Sequence, residues 1–123
     1  MATILVIDDE LLLLKNLEMI LEFENFHVIT ALEGGTALEI LHAQPVNLIL
    51  CDLLMVPMNG FEILQAVRQD PKTSHIPFVF VTGVKWNRAE TEFMGVSGYL
   101  IKPFTRSGLL NIIQQQLTTT LGS

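Results

Sequence analysis

Five polar residues of this 123-residue chain stand where apolar runs end. Asp8 and Asp9 follow residues 4–7, Asp52 follows 48–51, Thr82 follows 76–81 and Lys102 follows 99–101. The chain holds only four aspartates, so three of the four fall in this set. Two or three carboxylates with a backbone carbonyl make an all-oxygen site suited to Mg²⁺, which keeps several waters and favours phosphate-bearing partners. A lysine ammonium and a threonine hydroxyl suit phosphoryl oxygens. A carboxylate beside such a metal can itself be a nucleophile and form an aspartyl phosphate. The metal offsets the repulsion between that acid and an incoming phosphoryl group. The chain has no His or Cys ligand set for zinc and no Gly-rich phosphate loop of the nucleotide-binding kind. Plainer readings stand beside these. Asp52 alone serves equally well as a capping residue that ends a strand and bonds nearby N–H groups. Acids in the first turn of a helix face its positive end. Three in a row, Asp8-Asp9-Glu10, repel one another unless a cation or a basic group gathers them.

These residues meet only if the elements that carry them share an edge. Residues 4–7 and 48–51 are continuous apolar runs of strand length, as a strand buried on both faces requires. Residues 28–31, 76–81 and 99–101 read as three more strands, with Pro77 at the start of its strand, where a missing N–H is tolerated. Helices are expected over residues 11–23, 36–42, 61–69 and 105–117, with a short, weakly patterned one within 84–94. The expected core faces are Leu13, Leu17, Ile20 and Leu21 in the first, and Ala37, Leu38 and Leu41 in the second, which Thr36 would cap. Phe61, Leu64 and Val67 face inward in the third, and Leu109, Ile112, Ile113 and Leu117 are available in the last. Leu11, Leu12 and Leu14 widen the first helix's stripe, either through partial burial or as a docking patch beside the acids. Strand and helix thus alternate five times. That order predicts an α/β fold with a parallel sheet, helices on both faces and right-handed crossovers. All five strands then end on one edge, where open sheets of this class bind ligands.

Composition narrows the function. Half the residues are hydrophobic and 16% are charged, as in a folded domain rather than a disordered chain. The net charge of −6 argues against direct nucleic-acid binding, which needs a basic face. The one cysteine, Cys51, excludes an internal disulfide and suits a reducing cytoplasm. It lies in an apolar strand and reads as inert packing. No apolar run approaches the roughly 20 residues that cross a bilayer. The N-terminus leads straight into a strand pattern, without the basic start of a signal peptide. His27, His42 and His75 are scattered and carry no assigned role.

The chain resembles the receiver domain of two-component response regulators, over essentially its whole length. The likeness rests on Asp8-Asp9, Asp52 with Met55 and Asn59-Gly60, Thr82-Gly83, and Tyr99-Leu100-Ile101-Lys102-Pro103-Phe104. The resemblance implies a flavodoxin-like (βα)5 fold with strand order 2-1-3-4-5, over residues 1–119, with 120–123 as a frayed tail or linker start. It implies a phosphoryl group accepted on Asp52 from a histidine kinase or histidine phosphotransfer protein. Asp9, Asp52 and the Leu54 carbonyl would hold Mg²⁺, with Asp8 acting through water. Lys102 would pair with the phosphoryl group and Thr82 would move to bond it. Tyr99 would turn inward with Thr82, changing the surface of the fourth helix, fifth strand and fifth helix, through which a homodimer is also open. That surface would signal to a downstream protein or to an output domain. The chain would catalyse only its own phosphorylation and dephosphorylation. The bond between Lys102 and Pro103 is a candidate cis peptide, shared with the family. Tyr99 also reads as plain core, its hydroxyl needing only a partner.

The chain departs from the family in places. Most receivers have proline where this chain has Val56, and Pro57 comes one position later. The segment between Thr82 and Gly95 is shorter than usual, so its helix is expected to be short. Leu54 and Val84 occupy positions that tune loss of the phosphoryl group to water; both are apolar, so a long-lived aspartyl phosphate is expected. Two other functions compete. A Mg²⁺-dependent phosphatase or phosphotransferase with an Asp nucleophile usually needs a second acid at position 54, which is leucine. A phosphorylation-independent scaffold would have no use for the intact acids, Thr82 and Lys102.

Overall fold

Five short apolar segments pair into one parallel sheet: β1 (Thr3–Ile7), β2 (His27–Ala31), β3 (Leu48–Cys51), β4 (Phe78–Thr82) and β5 (Gly98–Ile101). Their order is β2-β1-β3-β4-β5, the flavodoxin-like order that the resemblance implies. The computed structural model describes residues 1–83 and 95–121. Among these residues the helices are α1 (Leu11–Phe23), α2 (Gly34–Ala43), α3 (Gly60–Gln69) and α4 (Arg106–Leu121). The helix expected within 84–94 lies outside the described residues, as does Val84.

Strand alternation divides the core into two layers. Leu5, Ile7, Ile49, Cys51, Phe78 and Phe80 pack with Ala37, Leu41, Ile63, Leu64 and Val67 of α2 and α3. Ile4, Val6, Leu48, Leu50, Val79 and Val81 pack with Leu14, Leu17, Leu21, Leu109 and Ile113 of α1 and α4. Successive side chains of a strand point to opposite faces, so each central strand feeds both layers and must be apolar throughout. At about 25 cal/mol per Å² of apolar surface, burying one of these side chains contributes roughly 1.5–3 kcal/mol.

Several boundaries differ from the sequence expectation. The core face of α1 is set by Leu14, Leu17 and Leu21, while Leu13 and Ile20 only flank it. Of the three leucines that widen the stripe, Leu14 is buried in the core, as partial burial of the stripe requires, while Leu11 and Leu12 are exposed. Helix α2 starts at Gly34, before Thr36, with Glu33 in extended backbone at its N-cap and no side-chain cap bond. A Cβ on Gly34 would lie 3.0 Å from Ile63 and Met58 side-chain atoms, which accounts for a small residue there. Strand β4 starts at Phe78 and includes Thr82, because Pro77 cannot donate to the ladder while its carbonyl accepts from Ile49. Helix α4 runs to Leu121, past its expected end near Leu117, since no Gly or Pro falls between Leu117 and Gly122.

Candidate functional site

The carboxyl edge gathers its polar residues by backbone register. The Asp8 N–H donates to the Ala31 carbonyl (3.1 Å) and the Asp52 N–H to the Ile7 carbonyl (2.9 Å). The first bond continues the β1–β2 pairing, and the second sets the ends of β1 and β3 side by side. The Lys102 N–H donates to the Thr82 carbonyl (2.9 Å), so β5 delivers its lysine beside the threonine of β4. Carboxylate oxygens of Asp8, Asp9 and Asp52 lie within 4.8 Å of one another. Lys102 Nζ donates to Asp8 Oδ2 at 3.0 Å and stands 3.6 Å from Asp52 Oδ2. A crevice of about 570 Å³ is lined by Asp9, Glu10, Asp52, Leu54, Thr82, Gly83 and Lys102. Asp8, Asp52 and Thr82 are buried, whereas Asp9 is exposed.

The loop after β3 is held from below. Asn59 caps α3 by accepting from the Glu62 N–H (3.0 Å), and Glu62 accepts from the Asn59 N–H (3.0 Å). This capping box fixes where the helix begins. The Gly60 N–H then donates to the Leu53 carbonyl at 2.8 Å. A Cβ on Gly60 would lie 2.6 Å from the Asp52 carbonyl oxygen and 2.9 Å from Leu53 Cα. The start of α3 is therefore pressed against the peptide that carries Asp52, a contact only glycine permits. Sequence reasoning used Asn59-Gly60 only as part of the resemblance and missed this steric role; the Asn59…Glu62 spacing was the available clue.

Charge at this edge is poorly balanced. Burial and the neighbouring Asp8 carboxylate raise the Asp52 carboxyl above its ordinary pKa, against the opposing pull of Lys102 and the N–H groups of Leu53 and Leu54. Burial lowers the Lys102 ammonium, but the Asp8 hydrogen bond and the charges of Asp8, Asp52 and Glu10 outweigh it and leave it raised. Buried Cys51 has a thiol pKa well above the ordinary value, mainly through burial, as inert packing would. Its Sγ donates to the Asp52 carbonyl at 3.1 Å.

The other predicted residues fall as follows. Leu54 is 60% exposed and borders the crevice. Tyr99 is half-buried against the α2/α3 layer, in register with Phe80. Thr82 lies two residues beyond Phe80, so it shares Tyr99's face of the sheet. The Lys102–Pro103 bond is cis, as is Val56–Pro57 at the departure from the family's loop. The acidic, all-oxygen donor set fits a hard cation such as Mg²⁺. No described helix is long and apolar enough to cross a membrane.

The family model for the response regulator receiver domain matches residues 4–114. The chemotaxis protein CheY of Pseudomonas aeruginosa is 36% identical over 117 residues, covering 91% of this chain and 93% of CheY. The response regulator PleD of Caulobacter vibrioides is 36% identical over 104 residues, 83% of this chain and 23% of PleD. The probable transcriptional regulator ycf29 of Pyropia yezoensis is 32% identical over 112 residues, 89% of this chain and 50% of that protein. The chain thus spans half of ycf29 and about a quarter of PleD. The solved structure of chemotaxis protein CheY4 of Vibrio cholerae superposes with a TM-score of 0.91 at 29% identity, covering 95% of this chain and 99% of CheY4. With its sheet order, its acidic edge and these relatives in agreement, the chain belongs to the response regulator receiver domain family.

Proposed function

We propose that this receiver domain is a phosphorylation-controlled switch with Asp52 as its phosphoacceptor. The observation that supports this most is the convergence of three carboxylates within 4.8 Å beside the Lys102 ammonium, at one edge of the sheet. Asp8, Asp9, Asp52 and the Leu54 carbonyl would hold Mg²⁺, Asp8 through water. The ion, when bound, supplies positive charge that offsets repulsion between the acceptor and a phosphoryl group. The donor is the phosphohistidine of a histidine kinase or phosphotransfer protein in the cytoplasm. An Asp52 oxygen attacks phosphorus, the donor P–N bond breaks, and the histidine ring leaves with that electron pair and a proton. Lys102 then pairs with a phosphoryl oxygen in place of part of its contact with Asp8. The Thr82 hydroxyl moves to bond another phosphoryl oxygen.

Thr82 and Tyr99 share a face of the sheet, which supports a coupled movement of the two and a changed surface at β5 and α4. That surface signals to a downstream protein, to a second copy of the chain, or to an output domain. Residues 1–119 form the switch and 120–123 would begin a linker. Leu11 and Leu12, 52% and 85% exposed at the start of α1, offer the donor protein an apolar foothold near the acids. The chain acts only on itself: position 54, where an Asp-nucleophile phosphatase needs its acid, is an apolar side chain at the crevice wall.

Incubation with acetyl phosphate and Mg²⁺, followed by intact mass measurement, tests the reading. One phosphate adduct is expected in the wild type and none in Asp52→Ala. An unmodified wild type would overturn the switch.

A further inference from the structure

Helix α1 is apolar on two opposite sides. Leu14, Leu17 and Leu21 enter the core. On the far side Leu12, Asn16, Met19 and Phe23 follow at spacings of four, three and four, and all are exposed. At about 3.6 residues per turn these four fall within about 60° of arc, one stripe along the helix. Leu12 is 85% exposed, Met19 69% and Phe23 77%, so only Asn16 interrupts an apolar strip. Alternating spacings of four and three are the pattern by which two helices pack along a shared seam. The flanks of the stripe differ. Lys15 and Glu22, both exposed, share one flank, and the partly buried Leu13 and Ile20 share the other. Among the described residues neither Lys15 nor Glu22 has an ion pair within the chain.

We propose that this face pairs with the same face of a second copy of the chain, the two α1 helices lying antiparallel about a two-fold axis. Such an axis lays each flank on its own counterpart with the direction reversed. Leu12 then meets the partner's Phe23, and Asn16 meets the partner's Met19. Lys15 comes beside the partner's Glu22, twice over by symmetry, and Leu13 faces the partner's Ile20. A parallel pair would set Lys15 against the partner's Ile20, so the charges select the antiparallel arrangement. Asn16 costs stability but fixes the register of the seam. Arg106, 5.2 Å from the Phe23 ring centroid and bonded to Glu24 (2.6 Å), places α4 beside the end of the stripe. A seam of this length is a small interface, so the pair forms reversibly and with rising concentration. Leu12 also belongs to the foothold proposed for the donor protein, so the paired and donor-bound forms exclude each other.

Sedimentation velocity at rising concentration tests the pairing. The wild type is expected to shift from monomer toward dimer as it approaches millimolar concentration. Lys15→Glu and Glu22→Lys each turn two attractive contacts into repulsive ones, and each should weaken the dimer about tenfold. Glu22→Lys also reduces the net charge of −6, which would favour unspecific association, so a weaker dimer in that variant reports the specific contact. The double reversal restores opposite charges across the seam and should return the dimer to within about twofold of the wild type. Met19→Glu, inside the stripe, should leave only monomer. All these positions are exposed, and far-UV circular dichroism reports that each variant is folded. A wild type still monomeric at millimolar concentration would overturn the pairing. So would a dimer indifferent to the single reversals, or a double reversal no stronger than the singles.

Discussion

The two ends of the sheet solve opposite problems with charge. At the carboxyl edge, three carboxylates crowd one ammonium, and burial and repulsion raise the Asp52 carboxyl. At the amino edge, among the described residues, one guanidinium is met by neutral acceptors. Arg68, at the end of α3, donates from Nε to the Gly95 carbonyl (2.9 Å) and from Nη1 to the carbonyls of Ile76 (2.6 Å) and Ser74 (3.2 Å). Ser97 extends this network: its hydroxyl accepts from the Phe78 N–H (2.9 Å) and its carbonyl accepts from Gln116 of α4 (3.0 Å). Carbonyls just before β4 and β5 are thereby tied to α3 and α4. Burial lowers the Arg68 pKa without removing its charge. One edge is satisfied by its own chain, and the other holds charge that a ligand would complete. Mutations at the two edges should therefore separate stability from chemistry.

Gly60→Ala is expected to give the largest effect, because it strikes both. The added Cβ would meet backbone at 2.6 Å and 2.9 Å, which no side-chain rotation relieves. A loss of about 3 kcal/mol is expected, in the upper range for overpacking. Because the clash displaces the peptide of Asp52, adduct formation from acetyl phosphate should also slow by at least about tenfold. Urea unfolding and adduct rates measure the two losses. A fall in stability with an unchanged rate would show that α3 does not position the acceptor.

Arg68→Ala is expected to cost about 2 kcal/mol, the scale of removing a charged donor from partly buried carbonyls. Adduct formation at temperatures well below the melting transition should be unchanged, since the guanidinium stands at the far end of the sheet. A slowed adduct rate in the folded variant would mean that the edges are coupled and would erase the contrast.

The two edges were not equally legible in the sequence. Asp8, Asp9, Asp52, Thr82 and Lys102 could be placed together because each ends an apolar run, and parallel strands put those ends on one edge. The strand order came from a resemblance carried by the same residues, and the structure shows that order. Arg68 gave no such signal. Its partners are backbone carbonyls, which every residue has, so neither residue type nor spacing marks them. The role of Gly60 was hidden for a related reason, since a missing side chain shows its purpose only when the approaching backbone is in place. In α1, periodicity admitted Leu13 or Leu14 as the inward residue, and only packing against the sheet and α4 decided for Leu14.

Asp52→Asn is expected to give the smallest change in stability, and of the opposite sign: it should raise stability while abolishing the adduct. The Asp52 pKa is higher in the folded chain than in the unfolded one, so the folded chain holds that proton to higher pH. Wild-type stability from this group is therefore lost as pH rises from the unfolded value, about 3.9, through the raised folded value. Above that window the acid is ionised in both states, and the folded state bears the full cost of a buried charge facing Asp8. Asparagine carries no charge at any pH. The variant's advantage should be near zero below about pH 4 and grow as the pH rises toward neutral. Thermal melts of both proteins from acid to neutral pH measure the difference. A variant less stable than wild type at neutral pH would mean that Lys102 and the Leu53 and Leu54 N–H groups already outweigh burial and Asp8. The carboxyl edge would then be as self-satisfied as the amino edge, and the contrast between them would fail.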